Sequence, residues 1–420
     1  TTEISEITEM KRVRCRARVY RNPTNSGKEF TTGQRKAKAQ CATNGLSGSG
    51  GRQRTHARLV ARCRARNPRR TCLTTVHLTL FIPDLLPPHG VPSAVPGNNP
   101  APVFRRMLGR GEVQRFAPID AEIWLCQAFE VEQREDWPVA ALTAAVDGLA
   151  AESGWWLRAD PVHLQLQRNR SLVLAAPELS VDAAEAAALT AALNAHFATD
   201  HMAITAAHPS RWYITQGEAT GVTAPVLSAV AGRALPQPLL GGSRASHWHR
   251  VLTEAQMILH EHPVNQAREA RGLPVINSLL LWGGGRKPAV PGRHFSHVCT
   301  DDVLATALAV QSGADSGAAP ASAARWFGKR PDPDGRHLIT LDRAHLAARY
   351  GGADAWFKAV NALEERWLAP LWAALDGPLK HLVIVATGPD RCLRCMLRPA
   401  DRMKFWRRSR PWAALMPSAA

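Results

Sequence analysis

The chain has no apolar run of the roughly 20 residues needed to span a bilayer, so neither a membrane-spanning segment nor a membrane partner is expected. It also lacks the long apolar core of a signal peptide, which predicts a soluble, cytoplasmic protein. The 8 cysteines, at 15, 41, 63, 72, 126, 299, 392 and 395, show no framework spacing, which argues against a disulfide scaffold. Cys392 and Cys395 make a lone CxxC without the second pair that a structural zinc site needs. Acidic residues are scarce only at the front. Residues 1–75 hold 18 Lys and Arg against 4 Asp and Glu, whereas the rest of the chain holds 34 against 31. The net charge of +17 therefore belongs to a tail, and nucleic acid is not an expected partner of the folded part.

That tail, residues 1–73, has no tryptophan, no apolar periodicity and a GLSGSGG run at Gly45–Gly51. Such a segment cannot offset the entropy of ordering, so it is predicted to be disordered. Either a start placed too far upstream or a nucleic-acid arm accounts for its arginines, and the first is the plainer explanation.

The chain as a whole has 45% apolar residues, and all 13 tryptophans lie from Thr74 onward, which makes that part core-forming. Val76–Ile82 (VHLTLFI) predicts a buried strand stopped by Pro83, which leaves Asp84 where a first strand often presents a functional carboxylate. A Pro- and Gly-rich loop is expected over 85–103, then a helix from a cap at Asp136 to Gly154. Strands are expected over 155–167, roughly 202–214, 338–341 and 381–386. Ser180 is expected to cap an alanine-rich helix ending near Phe197. Thr300 or Asp301 is expected to cap one ending at Gln311, with a linker over 313–322. A long helix is expected over 353–375, interrupted at Pro370. Alternating strands and helices predict an α/β fold, a mainly parallel sheet with helices on both faces. The strand–strand–helix–strand order near 155–215 predicts a small inserted α+β subdomain.

The most informative stretch is HEHPVNQAREARGLPVINSLLLWGGG, 260–285. Val251, Ala255, Ile258 and Leu259 form the apolar stripe of a helix ended by Pro263. Val275–Trp282 reads as a strand buried on both faces, and Gly283, Gly284 and Gly285 follow as a loop. Those glycines either let backbone amides approach an anion or simply make a tight turn. Arg211 and Trp212 either line the mouth of a cleft or, for Trp212, pack in the core. His294 and His297 have usable ligand spacing, near Asp301 and Asp302, but read equally as a polar rim. The C-terminal KFWRRSRPW is basic and aromatic. It suits contact with a phosphate, although such tails more often pack their tryptophans and solvate their arginines.

Four ordered blocks, RADPVHLQLQRN (158–169), LSVDAAEAAALTAALNAHF (179–197), HPSRWYI (208–214) and HPVNQAREARGLPVINSLLLWGGG (262–285), resemble the cofactor-independent, archaeal-type phosphoglycerate mutases. The resemblance is closer still to bacterial phosphoglycerate-mutase-like proteins labelled RpfE-type regulatory proteins. It implies an alkaline-phosphatase-like fold for 74–420, with the inserted subdomain at about 155–215. It also implies that Asn265, Arg268 and Asn277, with Gly283, Gly285 and Arg211, face a small phosphorylated or carboxylate ligand, Arg268 acting as a bidentate fork. The family's chemistry needs two divalent metals, Mn, Zn or Mg, and a hydroxyl nucleophile. Here the ends of the chain depart from the pattern. Asp390 is followed by Arg391, no histidine follows His381, and no Ser or Thr occupies a clear nucleophile turn before residue 140. The remaining candidate ligands are Asp84, His294, His297, Asp301 and Asp390. The expectation is a regulatory or ligand-sensing protein without a complete metal site. The alternative is an active, metal-dependent phosphoglycerate mutase or phosphatase with rearranged ligands.

Overall fold

Val76–Ile82 forms β1, and its alternate residues pack into two different cores: Leu78, Leu80 and Ile82 on one side, Phe81 on the other. A strand with both faces covered belongs in the middle of a layered sheet. The computed structural model describes residues 76–92, 100–167, 170–235, 239–292 and 294–417, so the expected disorder of 1–73 lies outside the described residues. Further strands are β2 (Glu112–Phe116), β3 (Trp155–Gln167), β4 (Arg170–Leu174), β5 (Ile204–His208), β6 (Arg211–Gln216), β7 (Ala234–Leu235) and β8 (Ser278–Gly285). They are followed by β9 (His297–Cys299), β10 (Asp315–Gly317), β11 (Arg336–Thr340), β12 (Leu379–Thr387) and β13 (Cys392–Leu397).

The first sheet runs β10-β9-β11-β1-β12-β13-β2. The first five of these strands are parallel, and β13 and β2 are antiparallel additions at one edge. A second sheet runs β5-β6-β3-β4-β7, with β8 paired to β3, and its pairings are antiparallel. All the strands of this second sheet fall between β2 and β9 in sequence. The fold is thus mixed α/β around a mostly parallel sheet. Both sheets contribute to a single compact unit, Arg69–Ala420.

The strands at 76–82 and 155–167 fall where the pattern places them. Other elements differ, for physical reasons visible in the structure. The strand expected over 202–214 is a hairpin of β5 and β6, because the chain turns at Pro209–Ser210. Asp182, not Ser180, caps the alanine-rich helix, through a reciprocal capping box with Glu185. Asp302, rather than Thr300 or Asp301, caps Val303–Ser312 by accepting from Ala305 N at 2.7 Å. The helix expected from Asp136 spans only Val139–Val146. Pro263 does not merely end a helix. The preceding helix stops at His260, and Pro263 opens the next, Pro263–Ala270, where its missing N–H costs nothing. The glycines 283–285 are the buried end of β8 rather than a loop. A Cβ on Gly285 would sit 2.6 Å from Pro138 Cβ, so only glycine admits this close approach. Among the elements without a sequence expectation are the helices Pro102–Arg110, Ala121–Ala128, Ala323–Gly328 and Arg343–Tyr350, and the strands β2, β9 and β13. The 313–322 segment contains β10. A π-helical turn, Glu364–Leu368, accommodates the proline at 370.

Candidate functional site

Ligands in open α/β sheets bind beyond the carboxyl ends of parallel strands. At that end of β1 and β12 there is a recess of about 180 Å³ lined by Asp84, Asp120, Ser228, Arg233, His345, Arg349 and Thr387, among others. Each side chain arrives from a different element. Asp84 follows Pro83 directly after β1 and takes a left-handed φ of 52°. Backbone strain of this kind is unusual for a non-glycine residue and recurs at functional sites. Its conformation is held from both sides. Asp84 N donates to Thr387 Oγ1 at 2.9 Å, and Trp356 Nε1 donates to Asp84 O at 2.9 Å. His345 and Arg349 lie four residues apart on the helix Arg343–Tyr350, hence on one face. Both reach the same oxygen: His345 Nδ1 and Arg349 Nε each lie 2.9 Å from Asp84 Oδ2.

The electrostatics follow from that contact. Burial alone would raise the Asp84 carboxyl, but the hydrogen bond from His345 and the charge of Arg349 outweigh it and hold it below the usual range. Burial opposes a charged His345, yet its bond to Asp84 raises the imidazole above its ordinary value. The two shifts have the opposite directions expected of an ion pair. Burial raises Asp120, and the negative charge of Asp84 adds to that rise. Glu122 is also raised by burial, against the hydrogen bond it accepts from Ser228 Oγ. Ser228 N donates to Glu122 Oε1 at 3.0 Å, and Ala121 N donates to Ser228 Oγ at 3.1 Å. Burial thus raises the carboxyls of Asp120 and Glu122 while that of Asp84 is lowered, and Arg233 lines the recess beside His345 and Arg349.

The residues expected around the 260–285 stretch lie elsewhere and bond within the fold. Asn265 is buried, donating to Leu259 O and Ile276 O, each at 2.7 Å, and accepting from Ile276 N at 2.8 Å. Arg268 is fully buried. It pairs with Glu185 at 2.5 Å and donates to Pro274 O and Leu179 O. Asn277 exchanges both amide bonds with the Leu164 backbone, capping the side of β3. Arg211 is paired with Asp147 at 2.6 Å, and the neighbouring Trp212 is core. Gly283 and Gly285 pack against Val139 and Pro138. In each case the polar groups are satisfied by neighbouring backbone or an internal carboxylate. None of these residues lines the recess at Asp84.

The candidate metal ligands do not form a donor set either. His297 opens β9 and is in register with His337 of β11, which is in register with Leu78 of β1. Asp84 lies six residues farther along, about 20 Å at the rise of a strand. His297 instead meets Asp315 and Asp332, at 3.3 and 3.6 Å, and stacks on His337. His294 lies 3.3 Å from Glu130, and Asp301 accepts from Ala319 N at 3.1 Å. Asp390 adjoins the recess through Pro389, but its carboxylate lies 3.6 Å from His89. Among the described residues no group of three or more His, Cys, Asp or Glu gathers to hold a metal ion. The two divalent ions that the family resemblance implies do not fit this donor chemistry. Of the two carboxylates that line the recess, Asp84 already bonds to a guanidinium and an imidazole, and Asp120 is raised by burial.

No family model matches the chain, and no curated protein does. Among solved structures it is similar to the cofactor-independent phosphoglycerate mutase from Thermoplasma acidophilum. That match has 15% identity and a TM-score of 0.41, over 82% of this chain and 96% of that one. It is also similar to the PH0037 protein from Pyrococcus horikoshii, with 15% identity and a TM-score of 0.46, over 77% of this chain and 88% of that one. Among the described residues no helix is long and apolar enough to cross a membrane.

The recess was only partly legible in the sequence. The end of the first strand pointed to Asp84. His345 and Arg349 carry a signal, an i, i+4 cationic pair on a helix, but nothing local says that this face meets β1. Ser228 and Glu122 are 106 residues apart and had no signal at all.

Proposed function

We propose that the protein is a phosphoglycerate-mutase-like ligand-sensing or regulatory protein that binds a small phosphorylated or carboxylate anion in the Asp84–His345–Arg349 recess. The observation that carries this is the convergence of His345 and Arg349 on Asp84 at the carboxyl end of the parallel sheet. The Arg349 guanidinium, beside the His345 imidazole whose pKa the bond to Asp84 raises, supplies positive charge where the resembled enzymes need paired cations. Arginine cannot lose its proton at working pH, so the charge is permanent. A volume near 180 Å³ suits an anion of a few heavy atoms rather than a nucleotide. We take the first sheet as alkaline-phosphatase-like and residues 155–215 as part of an inserted subdomain, whose sheet β8 completes, in a cytoplasmic protein.

A second reading is an active metal-dependent phosphoglycerate mutase or phosphatase with rearranged ligands. Its support is Ser228, whose hydroxyl donates to the buried carboxylate of Glu122 beside the recess, the arrangement of a nucleophile with its base. The two readings separate in one pair of measurements. Titration calorimetry with inorganic phosphate and 3-phosphoglycerate should show binding that Arg349→Met abolishes. Mutase and phosphatase assays with Mn, Zn or Mg should show no turnover above background. Metal-dependent turnover lost in Ser228→Ala would overturn the sensing proposal in favour of the enzyme.

A further inference from the structure

Three of the four most exposed large apolar side chains in the described residues lie within four positions of one loop: Met403, Phe405 and Trp406 at 69, 77 and 67%. Of the two tryptophans of KFWRRSRPW, for which packing is the more usual reading, only one follows it. Trp412 is buried, but Trp406 is not. Nor does the exposure come from a loop without anchors. Arg410 N donates to Arg105 O at 3.0 Å, and Arg105 Nε donates back to Arg410 O at 2.7 Å. Arg110 Nη1 donates to Arg402 O at 2.9 Å. The Arg402 guanidinium lies 5.2 Å from the centre of the Trp372 ring and donates to Trp372 O. The loop is therefore fixed against the helix Pro102–Arg110, with its apolar side chains turned to solvent.

Its charge has one sign. From 402 to 410 there are Arg402, Lys404, Arg407, Arg408 and Arg410 and no acid. Arg402 and Lys404 are neutralised by Asp376 and Asp401. Arg407, Arg408 and Arg410 are exposed, and among the described residues no acid pairs with them.

We propose that the Met403–Arg410 loop is a peripheral docking surface for anionic phospholipid membranes. Phe405, Trp406 and Met403 enter the headgroup region, and Arg407, Arg408 and Arg410 meet the lipid phosphates. Aromatic and basic side chains together favour the membrane interface, the ring in the acyl boundary and the cation at the headgroups. A single-stranded nucleic acid is a poorer match. Its bases need open ring faces to stack on. Met403 has none, and the Phe405 and Trp406 rings meet edge to face, at 82°. The expectation of no membrane partner rests on the lack of a bilayer-spanning segment, which a surface loop does not need. The proposal is independent of the anion recess.

The test uses the full chain and vesicles of phosphatidylcholine with or without phosphatidylserine. Sedimentation should bring down the protein with the serine-lipid vesicles only, and less as salt rises. Replacing both Phe405 and Trp406 by Ser should abolish binding. Each of Arg407→Ser and Arg408→Ser should weaken it about fivefold. Brominated lipid should quench tryptophan fluorescence in the unaltered protein, and Trp406→Phe should remove that quenching. Equal vesicle binding by the loop variants and the unaltered chain would place the contact elsewhere, as in the basic tail, and overturn the proposal. So would binding of a single-stranded oligonucleotide that depends on Trp406 when vesicle binding does not.

Discussion

Arg349 Nε lies 2.9 Å from Asp84 Oδ2, joining the end of the first strand to a helix 265 residues later, with both side chains largely buried. A buried pair of this kind contributes little relative to an apolar substitute but costs a great deal when half of it is removed. Arg349→Met should destabilise the protein by about 3–5 kcal/mol, because it leaves a buried carboxylate without its main counter-charge. Asp84→Asn combined with Arg349→Met should recover part of that loss, as read by urea denaturation. A single variant as stable as the unaltered protein would show that Asp84 is solvated.

The Asp84–His345 bond gives a defined pH window. Asp84 is depressed below 3.8, so its contribution is complete above that value and fades as pH falls through the lowered pKa. His345 is raised above 6.5, so its contribution is complete below that value and fades as pH rises through the raised pKa. The stability difference between the unaltered protein and His345→Gln should therefore be largest between about pH 4 and 6.5 and shrink on both sides. A difference that grows above pH 7 would rule out the pairing.

Asp136 is a carboxyl that burial pushes up to about 6 from 3.8, although it accepts from Trp137 N at 2.8 Å and from Gly284 N. A raised acid has the opposite sign to Asp84. Folding binds its proton, so stability is lost as pH rises through 6. Two units correspond to roughly 3 kcal/mol at most. Asp136→Asn should flatten the stability profile between pH 4 and 7, and carboxyl NMR should find a midpoint near 6 in the unaltered protein.

Arg268 provides the control for the location of the ligand site. It is fully buried against Glu185, so Arg268→Met should cost about 3–5 kcal/mol of stability and leave phosphate affinity at the Asp84 recess unchanged. If phosphate binding disappears while stability holds, the anion site belongs to the 260–285 stretch after all.

Gly285 tests the packing of the two sheets' covering elements. Its added Cβ would collide with Pro138, so Gly285→Ala should destabilise by about 1–3 kcal/mol in thermal unfolding. An unchanged midpoint would mean that the 139–146 helix shifts freely.

The long apolar strands and the alternation at the end of β3 were legible because a strand's own residues state which faces are buried. The histidines were not. A spacing such as that of His294 and His297 is compatible with ligation wherever it occurs. Only the register of parallel strands puts His297 near the amino ends of the strands and Asp84 beyond their carboxyl ends. Likewise the two cysteines of CxxC lie three apart on β13, and alternation sends Cys395 and Cys392 into different cores.

The sequence by itself determined the α/β class, the first strand with Asp84 at its end and the basic character of the tail. Each of these depends on composition or on neighbours within a few residues. Tertiary structure alone decided the partners of Arg268 and Asn265, the meeting of His345 and Arg349 with Asp84, and the exposure of Trp406. Those outcomes depend on groups up to 265 residues away, whose approach is set by sheet order and helix packing rather than by local preference.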